Sequence, residues 1–542
     1  MLFHLDTGAF GTPAFEITPV SAAALAGHPN CVAAGRGSRH DHFQHLVASF
    51  KEGDWAILNA ANGTYCAAFY DRRIETLHLV TDKIGVRSLY IWIGSEYVVF
   101  ASALRILEAF SAVPKKMDLL GATEAASFGF PLAGRSGYTD ILHLYAGERI
   151  TVSAAGLERG RYWRWENVAP SAEPRAELLR KAYQQFHDAV SRLAGSDTGV
   201  LAFLSGGLDS RCITGVLRSL GRNVRSCSFG WSDYLDCVLA AEFSAAAGTY
   251  HSRGEWVSVL SDSLASLLET TAAPPFPIER PRLVWSGDGG SVGVGHVYVN
   301  RDIVEALRRA DFAAAAQCFI ADMGATAQAS ILASDLRVRI DGALTQGIAE
   351  ELTRIPCEDP VKRLYVFLLE NDQRCHLSLF FEDIDLHRFD LLVPFFDGAL
   401  IETMMSLPPD WAVEHRFYNE WLKEFPPAVT AVPWQFYPGH APCPLPLPKL
   451  ADQWNKATSL RVARSKKHET LEATGRALAD FPKGLLDRNR FRIAMLLYRT
   501  DIRDYKYLLN AALAYHRYWR NSSGRWGVLA ATQAYPDQAV DR

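Results

Sequence analysis

Apolar positions are organised in two ways along this chain, and the change falls after its first third. Over residues 63–70 (GTYCAAFY), 75–81 (ETLHLVT), 89–93 and 97–101, apolar side chains come in short alternating or β-rich runs separated by turn residues. That spacing predicts the strands of a layered, β-rich domain. Further on, residues 199–204 (GVLAFL) form an unbroken apolar run, and 224–229 (VRSCSF) a second strand-like segment. A short unbroken run bounded by glycine and a turn is the pattern of a parallel strand buried on both faces. Each feeds a helix; after the first, Ile213, Val216, Leu217 and Leu220 recur at helical spacing,. Helical periods also fill residues 364–369, 398–407 and 491–515, which predicts an α/β core with helical additions,.

Between the two patterns, residues 167–175 (NVAPSAEPR) combine two prolines with small polar residues and read as a linker,. It separates residues 1–166 from 176–542, and a chain of 542 residues is in any case too long for one core,. Residues 438–448 (PGHAPCPLPLP) read as a rigid proline-rich loop,.

The junction between the apolar strand and its helix, Ser205-Gly206-Gly207-Leu208-Asp209-Ser210, carries the most chemistry. Its glycines let backbone N–H groups approach an anion, and the helix that follows brings its positive dipole end to the same place. Asp209 would repel a bare phosphate but would hold Mg²⁺ against one. The loop lacks the G-x-x-x-x-G-K-S/T arrangement that serves cleavage between β- and γ-phosphates, which excludes a kinase or GTPase of that type.

The SGGLDS run in this setting resembles the signature of the asparagine synthetase and β-lactam synthetase family, whose members adenylate a carboxylate and release pyrophosphate. Other stretches resemble the family in the same chain order. Asp82-Lys83-Ile84-Gly85-Val86-Arg87-Ser88-Leu89-Tyr90 with Val99-Phe100-Ala101-Ser102 is similar to its D-R-x-G-x-R-P-L-Y…F-A-S segment. Gly147-Glu148-Arg149 with Arg161-Tyr162-Trp163 is similar to its P-P-G-H…R-Y-W exit from the first domain. Ser286-Gly287-Asp288-Gly289-Gly290 resembles its second nucleotide loop, and Val393-Pro394-Phe395-Phe396-Asp397 its V-P-F-L-D. The resemblance implies a degenerate class II glutamine amidotransferase domain, an Ntn-like β-sandwich with helices, over residues 1–166. It implies an ATP-pyrophosphatase (PP-loop) domain with a doubly wound parallel sheet over 176–542. ATP would then be held by Leu204, Ser205, Gly206, Gly207, Asp209, Ser210, Ser228, Gly287 and Gly289. Mg²⁺ would be held by Asp209 and Asp288, with Asp288 and Lys449 as catalytic groups and Lys456 the alternative cation. Asp236 falls where the family has an acidic residue in a segment that helps cover adenine; Asp372 and Arg374 resemble its V-D-R element and read as structural.

Departures from the family decide the rest. Glutamine-using members open the mature chain with a cysteine nucleophile, whereas here Met1 is followed by Leu2 and the first cysteine is Cys31. The family's loops for gripping glutamine have no clear counterpart, so this domain is not expected to make ammonia from glutamine. The second nucleotide loop has Ser291 where the family completes Mg²⁺ binding with a carboxylate, and residues 273–281 (APPFPIERP) stand where a helix would be expected. The cluster His40, Asp41, His42 and His45 could bind a metal if His42 and His45 share a helix face; a polar entry into a helix starting near His45 accounts for it as well,.

The resemblance with these departures implies an ATP-dependent, AMP-forming ligase that joins a substrate carboxylate to an amine supplied with the substrate, foremost a macrolactam cyclase acting on a lasso-type peptide. The alternatives are an asparagine-synthase-type amidotransferase using free or partner-delivered ammonia on aspartate or a glycan carboxylate, and a nucleotide-binding scaffold without turnover. A small-molecule or peptide carboxylate would be the substrate, and a leader-peptide-processing protease or a carrier protein the protein partner. With 56 Lys plus Arg against 60 Asp plus Glu, a net charge of −4, no basic field invites nucleic acid,. No apolar run reaches membrane-spanning length, and the first residues lack the pattern of a signal sequence, so a cytoplasmic location is expected,. Nine cysteines without C-x-x-C pairing suit free thiols rather than disulfides or structural zinc,.

Overall fold

The computed structural model describes residues 8–31, 37–230, 232–254, 274–437, 439–449, 460–522 and 525–527. The amino-terminal half contributes ten strands: β1 (Phe15–Ile17), β2 (Ser21–Gly27), β3 (Tyr65–Asp71), β4 (Thr76–Thr81), β5 (Tyr90–Ile93), β6 (Val98–Ala101), β7 (Met117–Asp118), β8 (Ile141–His143), β9 (Glu148–Ser153) and β10 (Gly156–Arg161). Six of them form an antiparallel sheet in the order β1-β2-β3-β4-β9-β10, and β6-β5-β8 form a smaller antiparallel sheet. Alternation along β3 explains the layering. Tyr65, Ala67 and Phe69 pack under the helix Arg39–Glu52 with Phe43, Leu46, Val47 and Phe50. Cys66 and Ala68 point the other way, into a core shared with Leu79, Ile91 and Ile150 between the two sheets,. The helix Arg39–Glu52 starts six residues before His45, because Ser38 and Asp41 form a reciprocal capping box,.

The second half is built on a five-stranded, wholly parallel sheet: β11 (Gly199–Phe203), β12 (Asn223–Phe229), β13 (Tyr250–Gly254), β14 (Leu283–Trp285) and β15 (Asp390–Leu392), in the order β13-β12-β11-β14-β15. Its two faces enter different cores. Val200, Ala202, Leu283 and Trp285 meet the helices Arg175–Ala194 and Leu208–Ser219, whereas Leu201, Val284 and Leu391 face a core shared with the helices Arg301–Arg308, Ser334–Arg354 and Pro360–Leu368. Chain direction across the sheet reverses between β11 and β14. In open α/β sheets the crevice at the carboxyl ends of the strands beside such a reversal is where ligands bind.

Two helical expectations are corrected. Residues 491–515 are interrupted: one helix ends at Arg499 and the next runs Lys506–Asn521, separated by a turn in which Asp501 takes a left-handed φ of 59°. Residues 364–369 end one helix and pass into a π-helical turn, Leu369–Gln373.

The halves are joined by buried polar contacts rather than by apolar packing alone. Arg87 pairs with Asp390 at 2.6 Å and lies over the Phe381 ring. Arg161 pairs with Glu370, Gly398 N donates to Asn62 O at 2.7 Å, and Arg374, fully buried, donates to the carbonyls of Leu144 and Ala133. No helix among the described residues is long and apolar enough to cross a membrane.

Candidate functional site

The loops after β11 and β14 lie side by side at the reversal point. Leu204 ends the strand, buried, with its N–H on Cys227 O. Then the chain folds around its own hydroxyls: Ser205 N donates to Ser210 Oγ at 3.0 Å, the two serine oxygens are 3.1 Å apart, and Gly207 N donates to Ser205 Oγ at 3.2 Å. Gly206 N donates to Asp236 Oδ1 at 2.6 Å, so Asp236 fixes the loop from the neighbouring helix Leu235–Ala247. The helix Leu208–Ser219 begins at Gly207 without a side-chain cap. Its first N–H groups therefore remain available to an anion.

The glycines serve space more than backbone freedom. Gly207 is extended (φ −80°, ψ −179°). A Cβ on Gly287 would stand 2.8 Å from Ser210 N, and one on Gly290 would stand 2.4 Å from Asp209 Cγ. Only glycine lets the second loop press against the first. Gly289 alone needs its left-handed conformation, φ 87°, and packs on the Phe396 ring,. Beneath the first loop Arg211, fully buried, binds the carbonyls of Gly206, Gly207, Val432 and Pro433. It braces the turn and has no capacity left for substrate.

Asp209 sits between the loops. Its Oδ1 accepts from Tyr418 OH at 2.6 Å, and its Oδ2 accepts from both Ser291 N and Ser291 Oγ at 2.9 Å. Burial pushes its carboxyl up to about 6 against these hydrogen bonds, and the charge of Asp288 adds to the rise,. Asp288 accepts from Ser286 Oγ at 2.5 Å and from His376 Nε2 at 3.1 Å. Burial works against its charge, but His376 more than offsets that, so the Asp288 carboxyl lies below the usual range. The same hydrogen bond raises the His376 imidazole. The two directions agree on an ion pair.

The residues expected to bind nucleotide separate into two groups. Leu204, Ser205, Gly206, Gly207, Asp209, Ser210, Gly287 and Gly289 come together with Asp288 in the two loops. Ser228 lies at the carboxyl end of β12, but its hydroxyl is buried against His251 Nε2 at 3.2 Å, so that side chain is turned away. Lys449 is exposed, and Lys456 lies outside the described residues. Asp372 is bound by Gln373 and Arg374 is structural. His376 and Tyr418 had no spacing signal: each reaches the site from a helical segment far along the chain. The histidine cluster does not form a site. His42 is buried with Nδ1 on Cys31 N at 3.0 Å, His45 is exposed, and Asp41 caps the helix. The two histidines stand one turn apart, one in the core and one in solvent, and no group of three potential ligands is found among the described residues.

Sequence comparison reaches the first of these loops but not the second. The family model of the glutamine amidotransferase domain matches residues 41–163, and that of asparagine synthase matches 181–273. The chain belongs to the asparagine synthase family. Asparagine synthetase (glutamine-hydrolyzing) 3 of Bacillus subtilis is 27% identical over 172 residues, covering 32% of this chain and 28% of that protein. A putative asparagine synthetase (glutamine-hydrolyzing) 2 of Methanocaldococcus jannaschii is 29% identical over 163 residues, covering 29% and 31%. The matches to these two relatives thus span under a third of the relatives' own length. A solved glutamine phosphoribosylpyrophosphate amidotransferase of B. subtilis, complexed with ADP and GMP, aligns over 54% of this chain and 59% of that one, at 13% identity and a TM-score of 0.18. That likeness is too slight to carry an argument.

Members of this family imply ATP and a divalent cation. The described carboxylates do not build an all-protein cage: the oxygens of Asp209 and Asp288 already accept hydrogen bonds, and Ser291 contributes a donor, not a ligand. Two neighbouring carboxylates, one raised by burial and further by the charge of the other, do fit a cation that keeps most of its shell from water and phosphate, as Mg²⁺ does,.

Proposed function

We propose that this member of the asparagine synthase family is an ATP-dependent ligase that adenylates a substrate carboxylate, releasing pyrophosphate, and joins it to an amine carried by the same substrate. On this reading residues 176–542 form the ligase domain and 1–166 a scaffold derived from an amidotransferase. The observation that carries it is the pair of loops at the sheet reversal, which brings an uncapped helix start, two serine hydroxyls and the Asp209–Asp288 pair together. Pyrophosphate would lie over Ser205–Ser210. Asp209 and Asp288 would hold Mg²⁺, which neutralises phosphate charge. Asp288, hydrogen-bonded to His376, would either assist the metal or accept a proton from the attacking amine, with His376 stabilising the charge that it carries beforehand,.

The finer reading is closure of a macrolactam on a lasso-type peptide in the cytoplasm, with a leader-processing protease or carrier as partner. It is supported by Cys31: wholly buried, with its thiol pushed up by burial to about 12, it is no glutaminase nucleophile,. A second reading, transfer of ammonia to aspartate, is favoured by the names of the curated relatives. Exchange of labelled pyrophosphate into ATP decides. Exchange that depends on a peptide carboxylate and vanishes in Asp209→Ala supports the ligase; exchange with aspartate alone supports the second reading. No exchange above the Asp209→Ala background with peptide, aspartate or uronate leaves a scaffold without turnover.

A further inference from the structure

A cavity of about 460 Å³ lies where strand β5 and residues 125–137 of the first half meet the helix Lys506–Asn521. Tyr90, Phe128, Phe130, Leu379, Leu513 and Tyr518 give it an apolar, aromatic lining. Its size falls in the range of about 300–1,000 Å³ that buries drug-sized ligands. One wall carries His376, whose Nε2 is the group on Asp288. The cavity therefore shares His376 with the proposed reaction centre.

Most charges on its lining are matched, and Asp372, bound by the neutral amide of Gln373 at 2.7 Å, adds a carboxylate that repels small anions. Arg135 binds Glu124 through two hydrogen bonds, 2.6 and 2.9 Å, and Glu382 accepts from Tyr90 OH at 2.8 Å and from Arg517 at 3.3 Å. Little field remains for a small charged molecule such as aspartate or a uronate. His143 is the exception to this matching. It is 2% exposed and stacked on Tyr90 with centroids 4.6 Å apart. Burial drives its imidazole well below the ordinary range, so it is neutral, and its buried Nε2 has no hydrogen-bond partner.

Resting on the ligase reading, we infer that this cavity seats the non-reacting part of the substrate: a peptide with a bulky apolar or aromatic side chain held in the apolar lining, whose reacting end faces the Asp288–His376 pair. Free aspartate and single uronic acids are disfavoured, since they would leave the apolar lining against water.

The test is calorimetric titration of the full chain, without ATP, with the tripeptide Gly-Phe-Leu, aspartate and glucuronate. Ala125→Phe and Ala514→Phe fill the cavity from two different helices at half-buried positions. Each should weaken the tripeptide at least about tenfold while shifting the thermal midpoint by no more than about 3 °C. Equal tripeptide binding by the wild type and both filled variants overturns the inference, as does aspartate or glucuronate binding as tightly as the tripeptide. Pyrophosphate exchange on the same proteins separates this failure from that of the ligase reading. Cavity-dependent binding with no exchange from any carboxylate retains the cavity and sinks the ligase; exchange with aspartate, unchanged in the filled variants, retains the ligase and sinks the cavity.

Discussion

Two regions of this chain carry the family's motifs, and they use similar residues to opposite ends. In the first half, Asp82 accepts from the N–H groups of Tyr65, Ile84 and Gly85 at 3.0, 2.9 and 2.6 Å, Arg87 is paired with Asp390, and Cys31 is sealed behind His42. The space beside Arg87, His28 and Asp397 is about 20 Å³, room for about one water,. At the sheet reversal, Asp209 and Asp288 also have partners, but apart from the Ser291 N–H these are side-chain hydroxyls and an imidazole, beside an uncapped helix start. Carboxylates bound by backbone hold a structure; carboxylates bound by movable side chains can exchange those partners for a ligand.

Exchanging the two aspartates in turn should break this contrast or confirm it, with the largest effects expected of any change. Asp209→Asn should lower pyrophosphate exchange at least about a thousandfold without loss of stability. The sign follows from the raised carboxyl of Asp209: between about pH 4 and 6 the folded chain keeps a proton that the unfolded chain has released, so its contribution falls as pH rises through that window and is unfavourable at pH 7,. The variant should thus be at least as stable as the wild type at pH 7 and gain least at pH 4, measured as urea midpoints. Asp82→Ala should do the reverse, costing about 3–5 kcal/mol by stranding buried N–H groups, with exchange falling only as folded protein is lost. Equal destabilisation by both changes would erase the distinction between the regions.

The same contrast governs what the sequence revealed. The strand-glycine-helix junction at residues 199–210 was legible because local spacing, turn chemistry and charge agree there,. Loops that only meet in space were legible as motifs and Arg374 as structural, but nothing in the spacing of His376 or Tyr418 tells that they bind Asp288 and Asp209. Ser228 and Lys449 were inferred from position in the family pattern alone. Whether a hydroxyl turns to His251 or to a ligand is decided by a neighbouring strand that local sequence does not see. His42 and His45 stand one helical turn apart as expected, but His42 is turned into the core, where its Nδ1 accepts from Cys31 N, while His45 lies in solvent, a tertiary choice that spacing does not show,.

The ion pair next to the loops gives a smaller effect with a distinct signature. His376→Gln keeps a donor to Asp288 but removes the charge, and exchange should fall about ten- to a hundredfold. In the wild type the raised imidazole and lowered carboxyl keep the pair charged around neutrality. Exchange that depends on it should fade as pH rises through the His376 value, above 6.5, and that limb should vanish in the variant. A pH profile identical in both proteins would assign His376 to packing.

Ser291 tests how far the site tolerates its departure from the family. Ser291→Ala removes one donor to Asp209 and leaves the backbone N–H, so exchange should fall only about three- to tenfold,. Ser291→Glu should lower the Mg²⁺ concentration needed for half-maximal exchange and destabilise the protein in chelator, because a third carboxylate then crowds Asp209 and Asp288. An unchanged Mg²⁺ requirement would show that the cation does not sit between these loops.

The smallest effect belongs to the sealed region. Cys31→Ser exchanges a buried thiol for a hydroxyl in an apolar core beside Phe43 and Leu58, which should cost about 1–2 kcal/mol,, while leaving peptide-dependent exchange unchanged. Neither protein should release ammonia from glutamine above a heat-treated control, since a thiol held near 12 by burial supplies almost no thiolate at neutral pH,. Glutamine hydrolysis abolished by Cys31→Ser would reverse the assignment of the two regions: the first half would be a working amidotransferase, and the amine would be ammonia delivered within the chain rather than a group carried by the substrate.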